Sequence, residues 1–201
     1  MPDLILLRHG QSQWNLENRF TGWVDVPLSS KGEEEARAAG DKLRGRHIDV
    51  LLTSVLRRAI DTATLALDAA GIAGVPTERD EALNERMYGD LQGKNKAEAA
   101  AEFGADQVKI WRRSYDVRPP GGESLADTAA RVLPYWESHV LPALRAGKNV
   151  LIAAHGNSLR ALVMHLDGLT HAQVLELEIP TGRPLLYDID ADGRVRGKWY
   201  L

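Results

Sequence analysis

Short, wholly apolar runs alternate along this chain with stretches of helical period, and two of the runs break off in the same way. Leu4-Ile5-Leu6-Leu7 ends in Arg8-His9-Gly10, and Val150-Leu151-Ile152-Ala153-Ala154 ends in His155-Gly156. Runs of this length without alternation read as strands buried on both faces of a parallel sheet. Ser30-Lys31-Gly32-Glu33 has capping-box spacing and predicts a helix over 30–44. Val50-Leu51-Leu52 reads as a second strand, and a helix over 56–70 is closed by Gly71. From 77 to 118 the pattern is irregular, punctuated by Gly89, Gly93 and Gly104, with one predicted helix over 96–102. An excursion of that length reads as a functional flap, about 80–120. After the break at Arg118-Pro119-Pro120-Gly121-Gly122, Ser124 caps a long helix to about 145, bent near Pro134 and Pro142. A helix over 158–166 follows His155, and strands over 184–188 and 194–199 flank a turn at Asp192-Gly193. This alternation of strand and helix is the α/β pattern, without internal repeat or low-complexity tract.

Composition bounds the picture. With 201 residues and 44% apolar content the chain can bury one substantial core, so a single domain over 1–201 is expected. A formal net charge of −3 leaves no global basic field, which argues against nucleic acid or a membrane surface as partner. Any anion site must therefore be a local cluster. The absence of cysteine removes disulfides, thiolate nucleophiles and Cys-based zinc sites, and fits a reducing, cytoplasmic location. Met1-Pro2-Asp3 lacks the basic start of a signal peptide, and no run approaches the roughly 18 apolar residues of a membrane span.

Candidate chemistry gathers at the strand ends. Ligands of open α/β sheets bind beyond the carboxyl ends of the strands, so His9 and His155 are expected to face one another. Gly10 and Gly156 read as positions where the backbone turns sharply and a bulky anion approaches closely, and Arg8 points to a phosphoryl group. One neutral imidazole can attack phosphorus while the other, protonated, binds an equatorial oxygen. The charge on those oxygens calls for preorganised cations, for which Arg8 and the pair Arg57-Arg58 are candidates. The N-terminus of the helix that follows Ser54 is expected to add to their field. Glu85, in Leu83-Asn84-Glu85-Arg86, is the carboxyl suited to protonate the leaving oxygen. Each has a plainer reading when taken singly: a polar strand end for the histidines, an exposed charge for Glu85, a solvated face for Arg112-Arg113. His47, His139, His165 and His171 stand in no patterned context and read as structural. His9, His155 and Glu85 are acceptable zinc ligands, but a crowd of arginines attracts phosphate and repels a metal, so no metal is expected.

The chain resembles the cofactor-dependent phosphoglycerate mutases of the histidine phosphatase superfamily over nearly its whole length. The resemblance rests on Leu7-Arg8-His9-Gly10-Gln11-Ser12-Gln13-Trp14-Asn15, Asn18-Arg19-Phe20-Thr21-Gly22-Trp23 and Thr53-Ser54-Val55-Leu56-Arg57-Arg58-Ala59. Leu83-Asn84-Glu85-Arg86, Tyr88-Gly89, Leu91-Gln92-Gly93, Asn95-Lys96, Trp111-Arg112-Arg113 and Ala153-Ala154-His155-Gly156-Asn157-Ser158-Leu159-Arg160 extend it. Arg-His-Gly alone marks only the superfamily; Phe20-Thr21-Gly22-Trp23, Asn95-Lys96 and Trp111-Arg112-Arg113 point to the mutase branch. The resemblance implies a three-layer sandwich with a mostly parallel central sheet flanked by helices. It also implies that His9 is the phosphorylated nucleophile, Glu85 the proton donor and acceptor, and His155 with Arg8 and Arg58 the phosphoryl clamp. Asn15, Gly156 and Asn157 complete that pocket. Thr21, Gly22, Tyr88, Lys96, Arg112, Arg113 and Asn157 match positions that hold the glycerate carboxylate and second phosphate, and Ser12 is placed with this substrate-binding set. The implied reaction interconverts 2- and 3-phosphoglycerate in glycolysis and gluconeogenesis, primed by 2,3-bisphosphoglycerate as the cofactor, without metal, in a homodimer.

Three departures from longer members bear on this expectation. The chain passes from Pro119-Pro120 straight to Gly121-Gly122-Glu123-Ser124, ends at Lys198-Trp199-Tyr200-Leu201 without a mobile tail, and has Met87 where a histidine is frequent. A site that lets water in would hydrolyse phospho-His9, so a phosphatase acting on other phosphate esters is the alternative. A non-catalytic phosphometabolite-binding protein is a third reading, which intact His9, His155 and Glu85 disfavour.

Overall fold

The computed structural model describes residues 2–190 and 192–201. Its centre is a six-stranded sheet of β1 (Asp3–Arg8), β2 (Val50–Thr53), β3 (Thr77–Arg79), β4 (Val150–Ala154), β5 (Leu185–Ile189) and β6 (Val195–Tyr200), in the order β3-β2-β4-β1-β5-β6. The first four strands in that order run parallel, and β5 and β6 close one edge antiparallel to their neighbours.

Alternation along each strand divides the core. Leu4 and Leu6 of β1 and Ile152 of β4 face one apolar cluster, while Ile5, Leu7, Leu151 and Ala153 face the other. The first face is covered by α6 (Leu125–Tyr135) and α8 (Gly156–Asp167), the second by α2 (Ser30–Leu43) and α3 (Arg57–Ala70). The result is a three-layer α/β sandwich with a mixed, mostly parallel sheet. The short α1 (Gln13–Leu16) follows the first strand. The excursion between β3 and α6 carries α4 (Lys96–Phe103) and α5 (Ala105–Arg113), which share a small separate cluster of Phe20, Leu91, Ala99, Val108 and Trp111.

The expected elements are present with shifts that have local causes. Ser29, one residue before the expected cap, closes the N-terminus of α2 by accepting from the Gly32 amide. Gly71, at φ 72°, ends α3 in the left-handed conformation that glycine adopts without a Cβ clash. The long helix stays continuous through a π turn at Trp136–Val140 and α7 (Leu141–Arg145); Pro134 lies inside it and Pro142 at the start of the last segment. α8 opens at Gly156, two residues ahead of the expected start, because His155 itself is the N-cap. β3, α1, α5 and α9 (His171–Glu176) carry too few buried apolar positions to have been visible in the pattern.

Candidate active site

β1 and β4 are in-register neighbours, Arg8 opposite Ala154, and the His9 amide donates to the Ala154 carbonyl at 3.0 Å, one residue beyond the strand. His9 and His155 therefore emerge side by side, with ring centroids 5.0 Å apart. Both are buried. The His9 Nδ1 lies 2.6 Å from the Gly10 carbonyl, which can only accept, so Nδ1 carries the proton and Nε2 is left with its lone pair. Burial, and then Arg58 and Arg8, hold the His9 pKa well below the usual imidazole value, so the ring is neutral and nucleophilic at neutral pH. His155 is lowered likewise, first by burial and then by Arg58. Its Nε2 pairs with the Ser54 hydroxyl at 2.7 Å, while Nδ1 has no partner among the described residues.

His9 faces a cavity of about 220 Å³. His9, Arg8, Arg58, Asn15, Gly156 and Glu85 line it. Arg58 is almost fully buried on α3, donating to the carbonyls of Gly22 at 2.7 Å and Val24 at 3.0 Å; burial pulls its pKa down to about 10. Arg8 donates to the Ile179 carbonyl at 2.8 Å, and its Nε is buried without a partner among the described residues. Glu85 uses Oε1 to accept from the amides of Arg86, at 2.8 Å, and Asn157, at 3.0 Å, at the start of α8. Oε2 has no protein partner among the described residues. The excursion contributes Tyr88, Lys96 at the start of α4, and Arg112 and Arg113 at the end of α5 to the lining, which Thr21, Gly22 and Asn157 share. Burial, then Arg112 and Arg8, lower the Lys96 pKa to about 8. The buried Arg86 donates to the Trp111 carbonyl and lies 4.7 Å from the Tyr88 ring, tying the end of α5 to the Glu85 segment.

Of the catalytic and substrate-binding set that the resemblance implied, all but two line this one cavity. His155 lies behind His9, and Ser12 is the N-cap of α1, its hydroxyl accepting from the Asn15 amide at 3.1 Å while Asn15 Oδ1 accepts from the Ser12 amide. That reciprocal cap engages the Ser12 side chain. Three further expectations need correction, and one plainer reading falls away. The N-terminus of α3 is no anion site: Val55, Leu56 and Arg57 donate their amides to Asn84, Ser54 and Asp25. Arg57 is exposed beside Asp61, at 3.7 Å. Gly10 serves packing, since a Cβ there would lie 2.1 Å from the Gly32 carbonyl oxygen of α2. Glu85 is not a surface charge; it is 9% exposed.

Arg19, Phe20, Arg160 and Glu178 also line the cavity. Arg19 and Phe20 adjoin Thr21, and Arg160 stands one helical turn beyond Asn157, so position along the chain offered a signal for these three. Glu178, in the loop after α9, had none. It pairs with Arg113 at 2.9 Å and with Arg160 at 3.6 Å.

Two chemistries meet in this cavity: a neutral buried histidine flanked by two arginines and a carboxyl, and a second cationic pole on the excursion. Residues 4–200 match the model of the histidine phosphatase superfamily, branch 1.

The chain belongs to the histidine phosphatase superfamily.

Within it, the chain is 55% identical to the 2,3-bisphosphoglycerate-dependent phosphoglycerate mutase of Caulobacter vibrioides, over all of this chain and 95% of that protein. It is 58% identical to the protein of the same name from Methylobacterium radiotolerans, over 98% of this chain and 94% of that one. Among solved structures it is similar to a mycobacterial glucosyl-3-phosphoglycerate phosphatase complexed with VO3, with TM-score 0.84, 29% identity and coverage of 100% of this chain and 97% of that one. YhfR of Bacillus stearothermophilus superposes with TM-score 0.86 at 27% identity, over 98% and 95% of the two chains. Among the described residues no cluster of three or more histidine, aspartate or glutamate side chains could hold a metal ion, and no helix is long and apolar enough to cross a membrane.

Proposed function

We propose that this superfamily member is a 2,3-bisphosphoglycerate-dependent phosphoglycerate mutase, which interconverts 2- and 3-phosphoglycerate through a phosphohistidine on His9. The observation that carries the reading is the pairing, in one cavity, of the His9–Arg8–Arg58–Glu85 group with a second cationic pole at Lys96, Arg112 and Arg113. One pole suits the reacting phosphoryl group and the other the carboxylate and remaining phosphate, where guanidinium forks grip planar anions. Two buried polar atoms of residues that line the cavity, Arg8 Nε and Thr21 Oγ1, lack protein partners among the described residues, and an anionic, hydroxyl-bearing ligand would satisfy them. The names of relatives above 50% identity support the same substrate.

His9 Nε2 attacks phosphorus, and a nitrogen–phosphorus bond forms as the bond to the ester oxygen breaks. Glu85 gives its proton to that leaving oxygen. Arg8 and Arg58 balance the charge spread over the equatorial oxygens, to which His155, kept neutral by burial, adds no positive charge. In the return step Glu85 takes the proton of the attacking hydroxyl and His9 is released. 2,3-Bisphosphoglycerate, when bound, supplies the priming phosphoryl group; Lys96, Arg112 and Arg113 would hold its far end, and no metal is called for. The segment about 80–120 acts as the substrate flap of a single domain. A cytoplasmic setting, in glycolysis and gluconeogenesis, and a homodimer complete the proposal; sedimentation of the purified protein tests the last.

The deciding experiment follows 2-phosphoglycerate and inorganic phosphate together during incubation with 3-phosphoglycerate, with and without a trace of the bisphosphate and with EDTA present. Isomerisation that depends on the bisphosphate and survives EDTA supports the mutase. Phosphate release without 2-phosphoglycerate would instead establish a phosphatase, the activity named for the mycobacterial neighbour.

A further inference from the structure

Residue 85 lies in a segment, 84–88, that belongs to neither helix nor strand, so no backbone ladder fixes it. Its carbonyl is nevertheless held from two sides. The Trp23 indole donates to it at 2.6 Å and Arg131 Nη2 at 2.9 Å. The same guanidinium gathers the carbonyls of Ala82 at 2.8 Å and Asn84 at 3.0 Å through Nη1. Glu123 orients it by a two-pronged pair, Nε to Oε1 and Nη2 to Oε2, each 2.9 Å. Glu123 Oε2 also accepts from the Met87 amide at 2.9 Å, and the Glu123 amide donates to the Met87 carbonyl at 2.7 Å. Arg131 projects from α6, and its side chain is only 19% exposed.

We infer that Arg131, oriented by Glu123, is a positioning residue for Glu85: it fixes the main chain from which the carboxyl reaches the leaving oxygen. Its planar fork matches several acceptors at fixed angles, which a lysine ammonium on a flexible stem cannot reproduce. Proton transfer depends on heavy-atom distances near 3 Å, and a displacement of about 1 Å can cost roughly a hundredfold in rate. The inference rests on the reading of Glu85 as the acid.

The test compares two phosphoryl donors in single turnovers that form phospho-His9. 2,3-Bisphosphoglycerate leaves an alkoxide that needs a proton; p-nitrophenyl phosphate leaves a phenolate that does not. Glu85→Gln sets the reference and should slow the first donor by about 10²- to 10⁴-fold while sparing the second. Arg131→Lys should slow the first about ten- to a hundredfold and the second less than about threefold, with little change in half-saturating concentration. Glu123→Gln, which keeps the guanidinium and weakens its orientation, should show the same selectivity more mildly and serves if Arg131→Lys fails to fold. Should Glu85→Gln be selective while Arg131→Lys and Glu123→Gln slow both donors equally, Arg131 merely supports the fold and the inference is overturned. Loss of selectivity in Glu85→Gln itself would sink the acid assignment, and this inference with it.

Discussion

At the scale of single residues, burial decides what the site can do. His9 and His155 stay neutral in the native protein because burial, then Arg58, disfavours their charged forms. In the unfolded chain each takes a proton below about pH 6.5. Their stabilising contribution is therefore complete above that value and is lost as pH falls from it toward their native pKa values, by up to ~1.4 kcal/mol per pH unit for each ring. Denaturant midpoints measured between about pH 7 and 5.5 should fall accordingly, and less steeply for His9→Asn; a flat profile would contradict the buried, neutral pair. Lys96 gives the opposite limb. With its pKa lowered to about 8, it is charged in the free protein only below that value. An anionic ligand restores the charge, so binding should take up a proton near pH 8–9, and KM should rise above about pH 8. Calorimetry in buffers of different ionisation heat reads the proton, and Lys96→Met should abolish the uptake. Glu178 pairs with Arg113 and Arg160 at the cavity wall while itself 69% exposed. Each such pair is worth ~0.2–1 kcal/mol, so Glu178→Gln should let inorganic sulfate inhibit at up to about fivefold lower concentration. An unchanged inhibition constant would mean the two arginines were already free to bind anions. Arg8, His9 and Glu85 could be picked out from the sequence, but Glu178 could not, because a lone glutamate in a loop has no pattern until two arginines from other elements surround it.

At the scale of elements, close approach outweighs propensity where α2 meets α3. A Cβ added at Gly40 would lie 2.2 Å from the Ala66 carbonyl oxygen and 2.7 Å from the Ala69 Cβ. Alanine gains about 0.5–1 kcal/mol of helix propensity over glycine, whereas forcing extra volume into a packed contact costs about 1–3 kcal/mol. Gly40→Ala should therefore lower stability by about 1–2 kcal/mol in chemical denaturation, and a gain would show that the helices can part freely. The elements that the pattern revealed are those with a buried stripe and recognisable ends, such as α3 with its closing Gly71. β3 escaped because Thr77, Glu78 and Arg79 are all exposed, and α5 because only Val108 and Trp111 of its nine residues are buried. The early start of α8 has a different origin. Its first amides are engaged by the site, Asn157 donating to Glu85, and that contact is tertiary.

At the scale of the whole molecule, sheet order makes the site. β4 enters between β1 and β2, so the two strand ends that carry histidine become neighbours although they lie 146 positions apart in the chain. The crevice beyond those carboxyl ends is where an open α/β sheet binds its ligand, and the excursion folds over it with the second cationic pole. In a molecule of net charge −3, that local field should weaken as salt screens it, so KM for phosphoglycerates should rise between about 0.05 and 0.5 M potassium chloride more steeply than for p-nitrophenyl phosphate. Equal slopes would deny the second pole its role. The amino-acid sequence by itself determined five of the six strands, the main helices and the candidates for the reacting groups, because buried runs, caps and glycine stops are written in local order. Only the tertiary structure decided which nitrogen of His9 is free, that Ser12 caps a helix and lies outside the cavity, that Gly10 makes room for α2, that Arg131 holds the Glu85 carbonyl, and that Glu178 pairs with Arg113 and Arg160. Those outcomes depend on hydrogen bonds and contacts between segments far apart in the chain, and no local pattern encodes such a meeting.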